Sequence, residues 1–223
     1  DFSYATDFSN GYSIITKGDR VALLDTNLQV LIPFVYSKLS FFHDSILVAK
    51  NDSLLGLINL NGDTVLKFQY DRIDEIHDGL ALVKKGQKYG YLNRKGQISI
   101  PINYEYNLSA PIWSKFEEGY AKFQRRGKFG VIDKKGKEVS PAIFENLKNY
   151  NTNALFPVKK SEKWGFSNEE LQLKIKYIYK YAEPFRANSA IVKSDTAFGV
   201  IDQDANWLIQ PKFKSITRIF DSL

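Results

Sequence analysis

A short sequence motif occurs six times along the chain at a spacing of about 34 residues, and this periodicity constrains the fold more than any other feature. In one copy the motif is Lys88-Tyr89-Gly90-Tyr91-Leu92-Asn93. A small residue stands at its centre in every copy: Ala22, Gly56, Gly90, Gly130, Gly165 and Gly199, at steps of 34, 34, 40, 35 and 34 residues. Fourteen residues later an aromatic side chain stands in every copy: Tyr36, Tyr70, Tyr104, Phe144, Tyr179 and Phe213. Two columns in phase over six copies indicate a tandem array of one supersecondary unit.

Each copy has the pattern of short β-strands joined by turns. In the third copy, strands over 81–83 and 89–92 flank a polar turn, and a turn over 93–96 precedes a strand over 98–100. These spacings are too short for helices, and Gly and Asx residues mark the turns. About four strands per copy favour an all-β, six-bladed β-propeller-like fold, with an open β-solenoid or arc of hairpins as the alternative. The predicted copies in one array over 1–223 are 8–41, 42–75, 76–115, 116–150, 151–184 and 185–218, with partial copies at both ends.

Two columns predict local backbone geometry. The turn after the central strand begins with Asp or Asn in every copy, and three residues further Gly62, Gly96 and Gly136 predict a left-handed residue. Ala22 in the Gly column predicts a different demand there, namely a small side chain that lets a neighbouring copy approach closely. The strand over 89–92 is apolar on both faces, so we expect neighbouring copies to cover both.

These phrases resemble the WG repeat, also called the KWG repeat, of bacterial proteins. Lys163-Trp164-Gly165-Phe166 carries the motif best, and residues 128–139 carry its longest stretch. The resemblance covers nearly the whole chain and implies the repeat array, but it supplies no shared catalytic residues and says little about function. Trp occupies the Trp column only at Trp164; the other copies have Val21, Leu55, Tyr89, Phe129 and Phe198. This column is therefore expected to belong to the core.

Composition excludes several classes of protein. Apolar residues make up 43% of the chain, so it is no disordered tail, and the absence of Cys excludes disulfides and thiol catalysis. No apolar run approaches the roughly 18 residues of a transmembrane helix. The chain begins at Asp1 and has no Met, as expected of a processed product or an excised piece of a longer protein. The periplasm or the cell surface is the expected location, with the cytoplasm as the alternative.

Residues that could carry chemistry are few, and no cofactor is expected. His43 and His77 are the two histidines, each followed by Asp and 34 residues apart, so they occupy one column of adjacent copies and are weak candidates for a metal site. A polar loop position is the simpler interpretation. No phosphate-binding loop and no nucleophile elbow occurs. A non-catalytic scaffold that binds a protein or a surface glycan, as part of an exported bacterial assembly, is favoured over a small-molecule or metal-binding module or an enzyme at a propeller axis.

Two features are candidate partner-binding sites. The 40-residue step places an insertion around 107–115, where Ile112 and Trp113 either anchor a partner or fold back on the array. The net charge is +6, and basic residues crowd the turn before the Gly column in three copies: Lys84, Lys85 and Lys88; Arg125, Arg126 and Lys128; Lys159, Lys160 and Lys163. They either keep hairpin tips soluble or form a patch for an anionic surface. Aromatic residues do not interleave with them, so nucleic acid is an unlikely ligand.

Overall fold

The computed structural model describes residues 3–106, 114–150 and 154–218, and this part of the chain is all-β without a helix. Its strands form six antiparallel sheets. The first contains β1 (Tyr4–Ala5), β2 (Tyr12–Lys17), β3 (Arg20–Asp25) and β4 (Val30–Tyr36). The second contains β5 (Lys38–His43), β6 (Ile46–Asn51), β7 (Leu54–Asn59) and β8 (Thr64–Tyr70), and the third β9 (Arg72–His77), β10 (Leu80–Lys85), β11 (Lys88–Asn93) and β12 (Ile98–Glu105).

The remaining sheets have the same order of strands. The fourth has three strands among the described residues, β13 (Tyr120–Arg125), β14 (Lys128–Asp133) and β15 (Glu138–Phe144). The fifth contains β16 (Asn146–Leu147), β17 (Phe156–Lys160), β18 (Lys163–Ser167) and β19 (Leu173–Tyr179), and the sixth β20 (Tyr181–Ala182), β21 (Ala190–Lys193), β22 (Phe198–Ile201) and β23 (Trp207–Phe213). Each sheet is a meander of consecutive strands, the strand order of a propeller blade. The expected tandem all-β fold is confirmed.

The chain divides into two compact units, each with its own apolar core. The first comprises Asp1–Ala121 and Asp133–Lys137, and the second Lys122–Ile132 and Glu138–Leu223. In the first unit, Leu23 and Ile32 of the first sheet pack with Leu47 and Ile58 of the second. In the second unit, strands of the fifth and sixth sheets share a cluster that contains Trp164 and Ile201. Neighbouring copies thus cover one another's faces within each unit, as expected of a repeat array.

The turns that follow β3, β7, β11, β14, β18 and β22 are called the Asx turns here, because each begins with the predicted Asp or Asn. In the third copy, the side-chain oxygen Oδ1 of Asn93 accepts hydrogen bonds from the backbone N–H groups of Lys95 and Gln97, at 2.9 and 3.1 Å. The predicted left-handed residues are confirmed at Gly62, Gly96 and Gly136, with φ of 85°, 74° and 78°. The other three copies place Leu28, Leu171 and Ala205 in the same conformation.

The structure gives a different reason for the small residues of the Gly column than the close approach of a neighbouring copy that was expected. None of its glycines has a positive φ, which confirms that the column selects for size. The neighbour, however, is the next strand of the same sheet and not another copy. A Cβ at Gly90 would lie 2.5 Å from the carbonyl oxygen of Ile100, because β12 bulges opposite this position. Pro101 lies within this bulge, so β12 continues through it, whereas the expected strand ended before it.

The central strand is covered on both faces, as predicted. Tyr89, Gly90, Tyr91 and Leu92 are all buried. In the Trp column, Trp164 and Tyr89 are buried as predicted, whereas Val21, Leu55, Phe129 and Phe198 are half-buried, so the core role holds fully for only two of the six copies. Trp207, the larger side chain in its own column, is partly buried, and its ring meets that of Tyr179 edge-on at 6.1 Å.

Candidate functional site

The predicted basic residues lie at equivalent hairpins, called the basic tips here. The hairpins are β10–β11, β13–β14 and β17–β18, and their antiparallel registers bring the basic residues to the closing ends of the strands. Lys84, Lys85 and Lys88 belong to the first unit, while the six basic residues of the other two tips belong to the second. The sequence therefore located them correctly within each copy.

Acidic side chains accompany most of the basic tips. Four lysines of the tips form ion pairs: Lys84 with Asp71 at 3.5 Å, Lys128 with Glu145 at 3.6 Å, Lys159 with Glu162 at 2.7 Å and Lys163 with Asp195 at 2.6 Å. Arg125 donates hydrogen bonds to both carboxylate oxygens of Glu138. Lys85 instead donates to the Gln69 side chain at 2.7 Å, and Lys88 to the Asn103 carbonyl at 3.4 Å. Arg126 and Lys160 are exposed. These partners lie 3 to 32 residues away in sequence, so the repeat pattern did not reveal them.

Two of these acids also close the hairpin turns. Asp71 accepts the backbone N–H of Gly86 at 2.7 Å, and Glu145 accepts those of Ser161 and Glu162, both at 3.0 Å. The backbone N–H of Glu162, followed by that of Ser161 and the Lys128 charge, holds the pKa of Glu145 below its usual value. The geometry supports a local structural role for the lysines at these tips.

The two histidines end equivalent strands, β5 and β9, as their shared column predicted. His43 Nδ1 lies 2.9 Å from the Asp44 carboxylate, and both histidines are half-buried. The same position closes the first hairpin of three other copies as isolated bridges at Ser9, Glu117 and Arg186. Among the described residues, no group of three or more His, Asp or Glu side chains could hold a metal ion.

The insertion departs from the third sheet and returns beside it. Ile112 and Trp113 lie outside the described residues. On the near side, the backbone N–H of Tyr106 donates to the Gln87 carbonyl at 2.9 Å. On the far side, the Tyr91 hydroxyl donates to the carbonyl of buried Ser114 at 2.6 Å, and burial raises the pKa of this phenol. Both ends of the insertion are thus fixed to the third sheet of the first unit.

A cleft of about 600 Å³ lies in the first unit beside two Asx turns. It is lined by Ile76, Asp78, Gly79, Asn93, Arg94, Lys95, Gln97 and Lys134. The Asp78 carboxylate accepts Lys134 Nζ at 2.6 Å and the Gly119 backbone N–H at 2.7 Å. The Lys134 hydrogen bond and then that of Gly119 lower the pKa of Asp78. The cleft was not predicted from the sequence. The feature that could have indicated it is a basic residue directly after the leading Asx of two successive turns, Arg94 and Lys134.

Membrane insertion by a helix finds no support in the structure. No helix long and apolar enough to cross a membrane occurs in residues 3–106, 114–150 and 154–218.

Comparison with solved structures gives distant likenesses. Kluyveromyces lactis Hsv2p is 9% identical, with a TM-score of 0.39 over 90% of this chain and 75% of that one. PorZ, a bacterial surface component of the type-IX secretion system of Porphyromonas gingivalis, is 11% identical, with a TM-score of 0.36 over 92% of this chain and 31% of that one. Likenesses at this level carry no conclusion about function. No curated protein matches the sequence.

The family comparison agrees with the repeat columns. The model of the WG containing repeat matches residues 56–89, 89–129, 129–164, 164–195 and 198–223. Its matches begin at or next to the Gly column in the second to sixth copies, and together they span more than half of the chain. The chain therefore belongs to the WG containing repeat family.

Proposed function

We propose that this protein is a non-catalytic scaffold that binds another protein through the last strands of its sheets. The observation that carries the proposal is an exposed aliphatic residue at the same position of the last strand in three of the six copies. Val35, Ile143 and Ile178 occupy the same position of β4, β15 and β19, and their exposed fractions are 52%, 52% and 53%. Large apolar side chains repeated at one exposed position suit partner binding better than solubility.

The position of these strands within their sheets supports the proposal. Among the described strands, β15 pairs with β14 alone and β19 with β18 alone, so each has one edge without a strand partner. An edge strand can add an extended partner segment by main-chain hydrogen bonds, while alternate side chains supply specificity. Such recognition needs no catalytic group. It also suits a repeat family whose members share an architecture and no active site.

The insertion and an exported location remain parts of the proposal. Ile112 and Trp113 are apolar residues of the insertion, and the described residues on either side of it, Tyr106 and Ser114, hydrogen-bond to the third sheet. The favoured partner is another protein, with a surface glycan or an anionic surface as alternatives. The native envelope fraction is accordingly the place to search for it.

Quantitative affinity capture from that fraction tests the proposal. The parent protein is compared with Ile143→Ser/Ile178→Ser, with Ile112→Ser/Trp113→Ser, and with Lys176→Ser as a matched control on an exposed residue of β19. We expect one or more proteins to be retained by the parent and the control and lost from the edge-strand variant. An identical set of captured proteins in all four samples would contradict the proposal.

A further inference from the structure

We propose that the cleft beside the third and fourth Asx turns binds carboxylate side chains from an acidic segment of a partner protein. The inference rests on the proposed function in one respect, because it takes the ligand to be a protein. The site differs from the basic tips, which lie at the opposite end of the β10–β11 and β14 strands.

Contacts within the first unit build the cleft. The fourth Asx turn packs on the third sheet, where a Cβ at Gly136 would lie 3.0 Å from the Ile100 side chain. The Asp78 carboxylate accepts hydrogen bonds from Lys134 Nζ and from the Gly119 backbone N–H, and these bonds join the turn between β9 and β10 to the fourth Asx turn and to Gly119. The three turns therefore border one open cleft.

Charge distinguishes the cleft from the basic tips. Its lining carries Arg94, Lys95 and Lys134 against one acid, Asp78, so its net charge is +2. Lys134 is paired with Asp78, whereas the side chains of Arg94 and Lys95 are exposed and make no ion pair with any described residue. At the basic tips most cations already contact an acid. An incoming carboxylate would therefore meet two exposed cations in the cleft that have no acidic partner in the described part of the chain.

The repeat supplies an internal comparison. The two residues after the leading Asx are Thr26 and Asn27 in the first copy, and Leu60 and Asn61 in the second. They are Glu169 and Glu170 in the fifth copy, and Gln203 and Asp204 in the sixth. Two basic residues occur only in the third and fourth copies, as Arg94-Lys95 and Lys134-Lys135. The turn itself does not require this charge, so the basic pairs are features of these two turns in particular.

The remaining lining favours an acidic peptide over a nucleic acid. Among the described residues, no aromatic side chain lines the cleft, so they offer no platform on which a base could stack. The Gln97 side chain, whose oxygen accepts from Asn93 Nδ2 at 3.2 Å, has an amide nitrogen that can donate to a carboxylate, and Ile76 adds apolar contact. A net charge of +2 suits one or two carboxylates better than a run of phosphates, which is usually bound by a longer basic stripe.

Fluorescence anisotropy with a labelled, Glu-rich ten-residue peptide tests the inference at low and near-physiological salt. The full chain is compared with Arg94→Gln/Lys95→Gln and with Lys159→Gln/Lys160→Gln, which removes the same two charges from a basic tip. We expect the cleft variant to weaken binding by about tenfold or more, since charge-assisted hydrogen bonds are lost, and the tip variant by less than about twofold. Raising the salt should weaken binding by the parent.

Three results would overturn the inference. They are no peptide binding by the parent, equal weakening in both variants, and displacement of the peptide by a single-stranded oligonucleotide that binds more tightly and loses affinity in the cleft variant. The last result would assign the cleft to phosphate groups. These failures differ from failure of the proposed function, because capture through the edge strands is measured separately and uses variants outside the cleft.

Discussion

Gly130 shows how the packing within one sheet limits the size of the residue at a single position. A Cβ there would lie 2.6 Å from the carbonyl oxygen of Ser140 and from the Phe123 ring, both within the second unit. The carbonyl belongs to a backbone bulge and cannot rotate away. Ala22 shows that one copy can accommodate a methyl group at this position, with the same register shift between β3 and β4.

We therefore expect Gly130→Val to lower the free energy of unfolding by about 1–3 kcal/mol through overfilling. Thr64→Val, at an exposed position of β8, introduces the same side chain without a steric conflict and should be nearly neutral. Chemical denaturation monitored by circular dichroism measures both. Equal stability of Gly130→Val and the parent would contradict the packing described for this strand.

A second residue-scale prediction concerns backbone strain. Leu28 has φ of 62° and is exposed, so its side chain gains little from packing while its backbone is strained. Leu28→Gly should raise the free energy of unfolding by about 0.5–1 kcal/mol, the relief of strain exceeding the entropy cost of Gly. Asn27→Gly, one residue earlier and without a positive φ, should lower it. A lower melting temperature for Leu28→Gly would show that the strain is negligible.

At the scale of elements, Asp78 joins the β9–β10 turn to the fourth Asx turn and to Gly119. Its pKa is lowered in the folded state, chiefly by Lys134, so the carboxylate stabilises the fold at a pH above its unfolded pKa of about 3.9. This contribution is lost as the pH falls through the lower, folded pKa. Asp78→Asn should therefore melt below the parent at pH 7, and the gap should close in strong acid. Thermal melts over a pH series measure it, and a gap independent of pH would assign the loss to packing.

The elements also show what the sequence could and could not predict. The Asx and Gly columns predicted the turns, because their geometry depends on residues within a few positions. The size requirement of the Gly column was predicted as well, but its cause was wrong, since the bulge opposite Gly90 involves residues ten or more positions away. The ion pair between Lys163 and Asp195 joins two copies and depends on how their hairpins align, which composition does not encode. The cleft requires three turns from different parts of the chain.

At the scale of the whole molecule, the last described sheet differs from the others in how well its outer strand is covered. Ile175 of β19 is 3% exposed, whereas Ile209, at the same position of β23, is 42% exposed. Both lie in the second unit. Ile175→Ala should cost about 2–5 kcal/mol of unfolding free energy, and Ile209→Ala less than about 1 kcal/mol. Comparable losses in urea denaturation would mean that β23 is covered in solution.

Site-specific photo-cross-linking tests the central claim, that the edge strands of this repeat array bind a partner protein, most directly. A photoreactive residue is placed at Ile143 or Ile178, and at the exposed polar position Glu170 as the control, and each protein is irradiated in the native envelope fraction. The account predicts the same protein adduct from both edge-strand positions and its absence from the control. No adduct at any position, or the same adducts from all three, would contradict it.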